Sequence, residues 1–250
     1  MRYPNLLLVG VQKAGTTWLH TTLARSRHIF GSAPKELNLW GQPNWRDRLE
    51  AYQRHFSEAE KPTARYFMES TPHYFHAPTI FGDLAQEIRE TIPGVRVMVV
   101  LRNPIERYRS AYIHHMRKGR LPYTAEIDAL TDAQIMLSTG YYGKILAHWR
   151  VVFPDIIVLS HDRLSADPAG FVGDIFAALE IECDLDLAQL PSALHTSAQK
   201  RAEAGWPATP VLTPKARAAL VEHYRHDIDT LAPLVPFDVR PWLGDQNETL

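Results

Sequence analysis

Short runs of consecutive hydrophobic residues alternate along this chain with longer segments in which hydrophobic residues recur every three or four positions. The runs are typical of strands buried on both faces, because nearly every residue in them is apolar or β-branched. They predict strands at residues 5–10, 65–69, 95–101 and 156–160. The helical spacing, with Pro or hydroxyl residues at several starts, predicts helices at residues 16–25, 78–92, 104–118, 140–153, 168–179 and 213–231.

The alternation of strands and helices predicts an α/β fold. Strands joined by helices are parallel, so we expect a three-layer α/β/α arrangement whose mainly parallel sheet is covered on both faces. Residues 119–139 and 184–210 lack such periodicity and are predicted to be poor in regular structure. A length of 250 residues without a linker-like segment favours one domain over 1–250.

Composition and charge exclude several classes of protein. The chain has 27 Lys+Arg, 28 Asp+Glu and 45% hydrophobic residues, which is typical of a globular protein and not of a disordered one. A net charge of −1 argues against a general nucleic-acid binder. Cys183 is the only cysteine, and we find no signal peptide and no apolar run long enough to span a membrane. We therefore expect a cytoplasmic protein without a membrane partner.

Residues 10–18, Gly-Val-Gln-Lys-Ala-Gly-Thr-Thr-Trp, lie between a predicted buried strand and a predicted helix. The first backbone N–H groups of a helix have no partners within it, and the helix dipole adds positive potential, so this turn suits a phosphate. Lys13 adds a full charge. Thr16 and Thr17 add hydroxyl groups that can bind phosphate oxygens or cap the helix. A capped turn without a ligand is the alternative.

This loop departs from the Walker pattern G-x-x-x-x-G-K-[ST] of nucleotide triphosphatases. Thr16 follows Gly15, and Lys13 precedes that glycine by two positions. A magnesium-bound triphosphate also needs an acidic ligand, for which the sequence offers no convincing position. The pattern therefore favours a donor that binds without a metal.

Two motifs together resemble those of the sulfotransferases that use 3′-phosphoadenosine 5′-phosphosulfate (PAPS). Residues 10–17 resemble the P-loop-like 5′-phosphosulfate loop of that family, and residues 101–110 resemble its 3′-phosphate motif. Residues 34–40 and 69–75 are similar to segments of the heparan-sulfate-type branch. Residues 196–201 are similar to the loop that closes over the nucleotide. The likeness covers most of the chain.

The resemblance implies PAPS as the donor, 3′-phosphoadenosine 5′-phosphate (PAP) as a product, and a hydroxyl or amine of a carbohydrate or small molecule as the acceptor. The nucleotide-binding residues that it implies are Lys13, Ala14, Gly15, Thr16, Thr17, Trp18, Arg102, Ser110, Lys200 and Arg201. Arg102 ends a predicted strand and Ser110 lies two turns into the next helix, so both can reach one anion at the carboxyl edge of the sheet. A surface ion pair between Arg102 and Glu106 is the alternative.

Glu36 and Lys13 are the residues implied for catalysis. The resemblance places a catalytic glutamate, the base for the acceptor, at Glu36. Lys13 is the candidate for stabilising the leaving phosphate, because a flexible ammonium group can follow the developing charge. Lys35 is a candidate for keeping the nearby charge positive, with a solvated Lys35–Glu36 loop pair as the alternative.

Ser70 departs from the heparan-sulfate-type pattern, which often carries a lysine after the glutamate of E-K-T-P. The positive charge of that lysine is then missing, and His73, His114 or His115 is a candidate to replace it. Adjacent helical residues point about 100° apart, so we do not expect His114 and His115 both to face one cleft. The substrate-binding candidates are therefore Lys35, Ser70, His73 and His114.

The histidines do not form a metal motif. His73/His76 and His223/His226 are each three positions apart, but no Cys or carboxylate joins either pair at the spacing of a zinc site. Two other functions stay open on the sequence alone: a magnesium-dependent nucleotide phosphotransferase, and a nucleotide-binding module without turnover. The oligomeric state stays open as well.

Overall fold

The structure is a computed structural model that describes residues 2–57, 61–191 and 197–244. Of residues 197–200 it describes the backbone only, so the prediction for Lys200 concerns a side chain outside the described residues. Within the described ranges, no helix combines the length and the hydropathy needed to cross a bilayer.

The chain divides into two compact units. The first unit is Met1–Leu101 with His148–Ser192, and the second is Arg102–Ala147 with Ala193–Leu250. The prediction of one functional domain over 1–250 stays a prediction.

The strands, in chain order, are β1 (Leu6–Gly10), β2 (Ile29–Gly31), β3 (Tyr66–Ser70), β4 (Arg96–Leu101), β5 (Glu126–Ile127), β6 (Ile157–Ser160) and β7 (Val211–Leu212). The first unit contains a five-stranded sheet in the order β2-β3-β1-β4-β6, with every neighbouring pair parallel. The predicted α/β class with a mainly parallel sheet is confirmed. Every residue of β1 is buried, which explains why it forms a continuous apolar run.

The helices, in chain order, are α1 (Thr16–Leu23), α2 (Leu49–Ser57), α3 (Pro78–Phe81), α4 (Leu84–Thr91), α5 (Pro104–Arg117), α6 (Tyr142–Val152), α7 (His161–Ala166), α8 (Pro168–Ala178), α9 (Ser197–Ala204) and α10 (Pro214–Leu231). Single 3₁₀ turns lie at Trp45–Arg48, Ala133–Ile135, Ser138–Gly140, Leu187–Gln189, Ala232–Leu234 and Arg240–Leu243. The predicted scarcity of regular structure at 119–139 is confirmed, since that segment holds only β5 and short 3₁₀ turns.

One helix prediction and one loop prediction were wrong. The helix predicted at 78–92 is broken into α3 and α4, because Gly82 has a left-handed φ of 83° and the Asp83 carboxylate caps α4 by accepting the Gln86 N–H. The segment 184–210, predicted to be loop-like, contains α9.

The strand order reverses at β1. From β1 the chain runs to β2 and β3 on one side, and then to β4 and β6 on the other. Connections between parallel strands are almost always right-handed, so the carboxyl ends of the strands at such a reversal diverge into a crevice. The residues that follow β1 therefore lie where open α/β sheets commonly bind ligands.

The second unit is held together by packing of α5, α10 and the first part of α6. The buried Asp227 carboxylate of α10 accepts the N–H groups of Gly143 and Lys144, at 2.8 Å and 2.9 Å. β5 and β7 form a separate two-stranded parallel ladder.

Gly10 gives a test of the packing at the end of β1. A β-carbon there would lie 2.7 Å from Cβ of Phe75, so we expect Gly10→Ala to lower the free energy of unfolding by about 1–3 kcal/mol. Gly173, within α8, has no atom within 4 Å of such a β-carbon and is the control. Gly173→Ala is expected to leave stability unchanged or raise it by up to about 1 kcal/mol. Equal melting temperatures for the two variants would contradict the packing argument.

Candidate functional site

The turn between β1 and α1 has a backbone conformation that few L-residues adopt. Lys13 and Gly15 are both left-handed, with φ of 74° and 81°. The Val11 N–H donates to the Val100 carbonyl of β4 at 2.9 Å, and the Ala14 N–H donates to the Val11 carbonyl at 3.2 Å. The turn is thus anchored to the sheet, and it reverses the chain directly into α1.

The N-terminus of α1 begins without a side-chain cap. Its N-cap residue is Gly15, so neither Thr16 nor Thr17 takes the capping position. The expectation that these hydroxyl residues cap the helix is therefore wrong. The first N–H groups of the helix keep the positive potential that favours an anion.

Two further residues of the predicted loop pack within the first unit. Ala14 is fully buried, and the Trp18 indole Nε1 donates to the Pro191 carbonyl at 2.8 Å. Thr16 is buried and Thr17 is exposed. Contacts of these residues with a nucleotide stay predictions.

Glu36 lies at the carboxyl edge of the sheet, beside the end of β3. Its N–H donates to the Ser70 carbonyl at 3.1 Å, and its backbone is left-handed with φ of 65°. Its Oε1 lies 2.5 Å from Nζ of Lys35, whose side chain is only 15% exposed. Lys35 is therefore largely buried, whereas the Glu36 side chain, which is 40% exposed, still reaches solvent as the solvated alternative expects.

Ser70, a predicted substrate-binding residue, is fully buried. Its Oγ lies 2.7 Å from Nδ1 of His20, while Nε2 of His20 lies 3.2 Å from the Ser32 carbonyl. A carbonyl only accepts, so Nε2 carries the proton and the Ser70 hydroxyl donates to Nδ1. Burial, and then the charge of Lys35, lowers the pKa of His20 to about 4. This geometry gives no support to a contact between Ser70 and a substrate.

Glu69 and His20 are site residues that the sequence reasoning missed. Glu69 is fully buried on β3, where Oε1 accepts the Leu37 N–H at 3.3 Å and the Thr71 hydroxyl at 2.5 Å. Burial raises the pKa of Glu69 from its usual 4.5 to about 7, although the bonds from Thr71 and Leu37 oppose that rise. A carboxylate inside an otherwise apolar strand is the signal that identifies such a residue from sequence.

The residues predicted for the 3′-phosphate lie in the second unit. Arg102 lies two positions before the start of α5 and Ser110 lies on that helix, and both are half-buried. Glu106 pairs with Arg217 at 3.0 Å and with Arg109 at 3.9 Å. The roles of Arg102 and Ser110 stay predictions.

The remaining candidates differ in exposure. His73 is exposed and stacks against His76 with ring centroids 6.4 Å apart. His114 is half-buried whereas His115 is buried, in keeping with the angle of about 100° between adjacent residues on α5. Arg201 is exposed on α9. Across the described residues, no three His, Cys, Asp or Glu side chains come together as metal ligands would.

Comparison with known proteins decides the family. A model described as "Sulfotransferase family" matches residues 49–185, which is more than half of the chain. The chain belongs to the sulfotransferase family. The matched range includes Arg102 and Ser110. It does not include Lys13 or Glu36, so the interpretation of the loop after β1 as a phosphate site depends on the geometry of that loop.

Relatives of this chain include proteins named for heparan sulfate. Human heparan sulfate glucosamine 3-O-sulfotransferase 6 is 29% identical over 188 residues, which cover 70% of this chain and 51% of that protein. Mouse bifunctional heparan sulfate N-deacetylase/N-sulfotransferase 2 is 26% identical over 188 residues, covering 67% of this chain and 21% of that protein. The chain spans about a fifth of the length of the first curated relatives it matches.

Solved structures with the same fold are also sulfotransferases. The Alicyclobacillus acidocaldarius enzyme has a TM-score of 0.75 at 21% identity, covering 97% of this chain and 99% of that one. Mouse SULT7A1, solved with PAP, has a TM-score of 0.56 at 14% identity, covering 92% and 86% of the two chains. At these identities the likeness establishes the fold.

Glu69 makes stability depend on pH. The raised pKa means that the folded chain releases this proton at higher pH than the unfolded chain does, so stability is lost as pH rises from 4.5 to about 7. Glu69→Gln cannot titrate. Its stability relative to the parent protein is therefore expected to rise by about 2–3 kcal/mol between pH 5 and pH 8.

Urea denaturation at the two pH values measures this difference. Glu222→Gln, which changes a carboxylate that is 76% exposed, is the control and should follow the parent protein. If Glu69→Gln also followed it, Glu69 would not titrate in this window.

Proposed function

We propose that this chain transfers the sulfuryl group of PAPS to a hydroxyl or amine of a carbohydrate or small-molecule acceptor. The observation that carries the proposal is the left-handed turn of Lys13 and Gly15 at the carboxyl end of β1, in a chain of the sulfotransferase family. The turn combines a lysine with an uncapped helix N-terminus. That combination suits a phosphosulfate group.

Lys13 and the backbone at the start of α1 have the binding role in this proposal. PAPS, when bound, supplies an activated sulfuryl group and a bisphosphate that leaves. The helix N–H groups bind phosphate oxygens, and the Lys13 ammonium stabilises the negative charge that grows on the bridging oxygen. Sulfuryl transfer of this kind depends mainly on positioning and electrostatics, as phosphoryl transfer does.

Glu36 has the role of the base that takes the proton of the acceptor. Its carboxylate is 40% exposed and can therefore meet an acceptor from solvent, while its backbone is held by the Ser70 carbonyl. Lys35, 2.5 Å from that carboxylate, supplies a cation beside the position where Ser70 replaces the lysine of the related enzymes. The geometry thus favours Lys35 over the histidines as the compensating charge.

Release of PAP from PAPS, measured with a panel of sugar and small-molecule acceptors, tests the activity itself. We expect turnover that depends on the acceptor and that persists when magnesium is chelated. A magnesium-dependent phosphotransferase would instead consume ATP, and a binding module would bind PAP without releasing it from PAPS. Either of those results would overturn the proposal.

Lys13 and Glu36 should separate binding from turnover. Lys13→Ala is expected to weaken PAP binding by about tenfold or more, because it removes a charge-assisted bond to phosphate, and to abolish turnover. Glu36→Gln is expected to lower kcat by about 10²–10⁴ while PAP binding is kept. Calorimetry and PAP release measure the two effects, and Lys215→Ala, at a lysine that is 80% exposed, is the control. Equal losses of PAP affinity in the Lys13 and Glu36 variants would refute the base role.

Arg102 should act on the 3′-phosphate alone. Arg102→Ala is expected to weaken PAP by about tenfold or more and adenosine 5′-phosphosulfate by less than about twofold, because only PAP carries the 3′-phosphate. Arg225→Ala, at an arginine that is 55% exposed, is the control in the same unit. A similar loss for both ligands would show that the 3′-phosphate was placed wrongly.

A further inference from the structure

Four consecutive backbone N–H groups, those of residues 36–39, donate to a single short segment of the chain, residues 69–74. The first of the four, the Glu36 N–H, donates to the Ser70 carbonyl at 3.1 Å. The next three bond to side chains: Leu37 to Glu69 Oε1 at 3.3 Å, Asn38 to Thr71 Oγ1 at 3.2 Å, and Leu39 to the Tyr74 hydroxyl at 2.8 Å.

Side chains take this role because a regular strand cannot form here. Glu36 and Asn38 are left-handed, with φ of 65° and 49°, and that conformation turns successive N–H groups away from a ladder. For residues that are not glycine, such a backbone is unfavourable unless the surroundings hold it. The bonds to residues 69–74 are what hold it.

Glu69 is central to this set of bonds. Its Oε1 accepts the Leu37 N–H directly, and it also accepts the Thr71 hydroxyl at 2.5 Å, which orients Thr71 to receive the Asn38 N–H. Glu69 is fully buried, so its side chain is not exposed to a sulfuryl acceptor. Trp40, Tyr52 and Tyr74 are buried with it, and the Trp40 ring packs edge-on against both tyrosines. Full burial leaves the carboxyl group of Glu69 without solvent contact.

We propose that Glu69 is a positioning residue for sulfuryl transfer, which holds Glu36 in its left-handed conformation through the N–H groups of Leu37 and Asn38. The proposal rests on the base role of Glu36 given above. Glu69 acts through the hydrogen-bond acceptance of its side chain and not through proton transfer to substrate. A side chain that replaces Glu69 should therefore preserve function only if it has the same shape and an oxygen that accepts hydrogen bonds.

Three substitutions test this role. Glu69→Leu removes the acceptor, Glu69→Gln keeps an acceptor oxygen without the charge, and Thr71→Val removes only the hydroxyl that connects Asn38 to Glu69. The control is Asp184→Leu, since Asp184 also accepts one hydroxyl, that of Ser26, and one backbone N–H, that of Arg27.

Residue-resolved hydrogen exchange gives a readout that does not need activity. In Glu69→Leu, the amides of Leu37 and Asn38 are expected to exchange at least about tenfold faster than in the parent protein. In Thr71→Val, the same acceleration is expected for the amide of Asn38 alone. In Glu69→Gln and Asp184→Leu, their exchange is expected to match that of the parent protein. Unchanged exchange in both Glu69→Leu and Thr71→Val would overturn the proposal, and Thr71→Val decides the matter if Glu69→Leu does not fold.

Kinetics with PAPS and an acceptor link the bonds to function. Glu69→Leu is expected to lower kcat by about tenfold or more with PAP affinity within about twofold, because a displaced base slows chemistry and not donor binding. Glu69→Gln should keep kcat within about threefold of the parent protein. An equal fall of kcat in Gln and Leu variants would overturn the positioning role in favour of a role for the charge.

The two proposals can fail separately. If the parent protein released no PAP with any acceptor, the proposed function would fall, whereas the exchange of Leu37 and Asn38 would still show whether Glu69 holds the segment. If turnover were present and the exchange unchanged, the role of Glu69 alone would fall.

Discussion

The structure around Glu36 depends on hydrogen-bond acceptors for the four backbone N–H groups of residues 36–39. Buried or half-buried N–H groups that lack an acceptor destabilise a fold, and these four cannot find acceptors in a ladder because Glu36 and Asn38 are left-handed. The acceptors come from the end of β3 and the turn after it. The conformation of the candidate base therefore depends on a segment more than thirty positions away, as the 32-position separation of Leu37 and Glu69 illustrates.

Holding Glu36 in this way has an electrostatic cost. A fully buried carboxyl group is poorly solvated, and burial accordingly raises the pKa of Glu69 to about 7. Lys35 offsets part of this cost, since its charge lowers the pKa of Glu69 and also that of His20. One half-buried lysine thus acts on Glu36, Glu69 and His20 together, and its neutral neighbour His20 serves as an acceptor for Ser70.

An uncharged residue at position 70 is consistent with this arrangement. Position 70 is fully buried, and its hydroxyl bonds to a neutral histidine, so a charge there would lack solvent. A cation beside the candidate base comes from the adjacent residue, Lys35, on the loop that carries Glu36. In the proposed reaction, the candidate base therefore has a positive charge beside it.

The sequence by itself determined β1, β3, β4 and β6 and the turn at which the candidate site begins. β1 and β4 could be predicted because strands covered on both faces need continuous apolar residues, and the Lys13–Gly15 turn because its residue types stand between a strand and a helix. β2 escaped prediction, since three residues carry little periodicity and become a strand only by pairing with β3. Only the tertiary structure decided the left-handed backbone of Glu36, the burial of Ser70 against His20 and the bonds of Glu69, because each depends on partners that strand pairing brings together from distant parts of the chain.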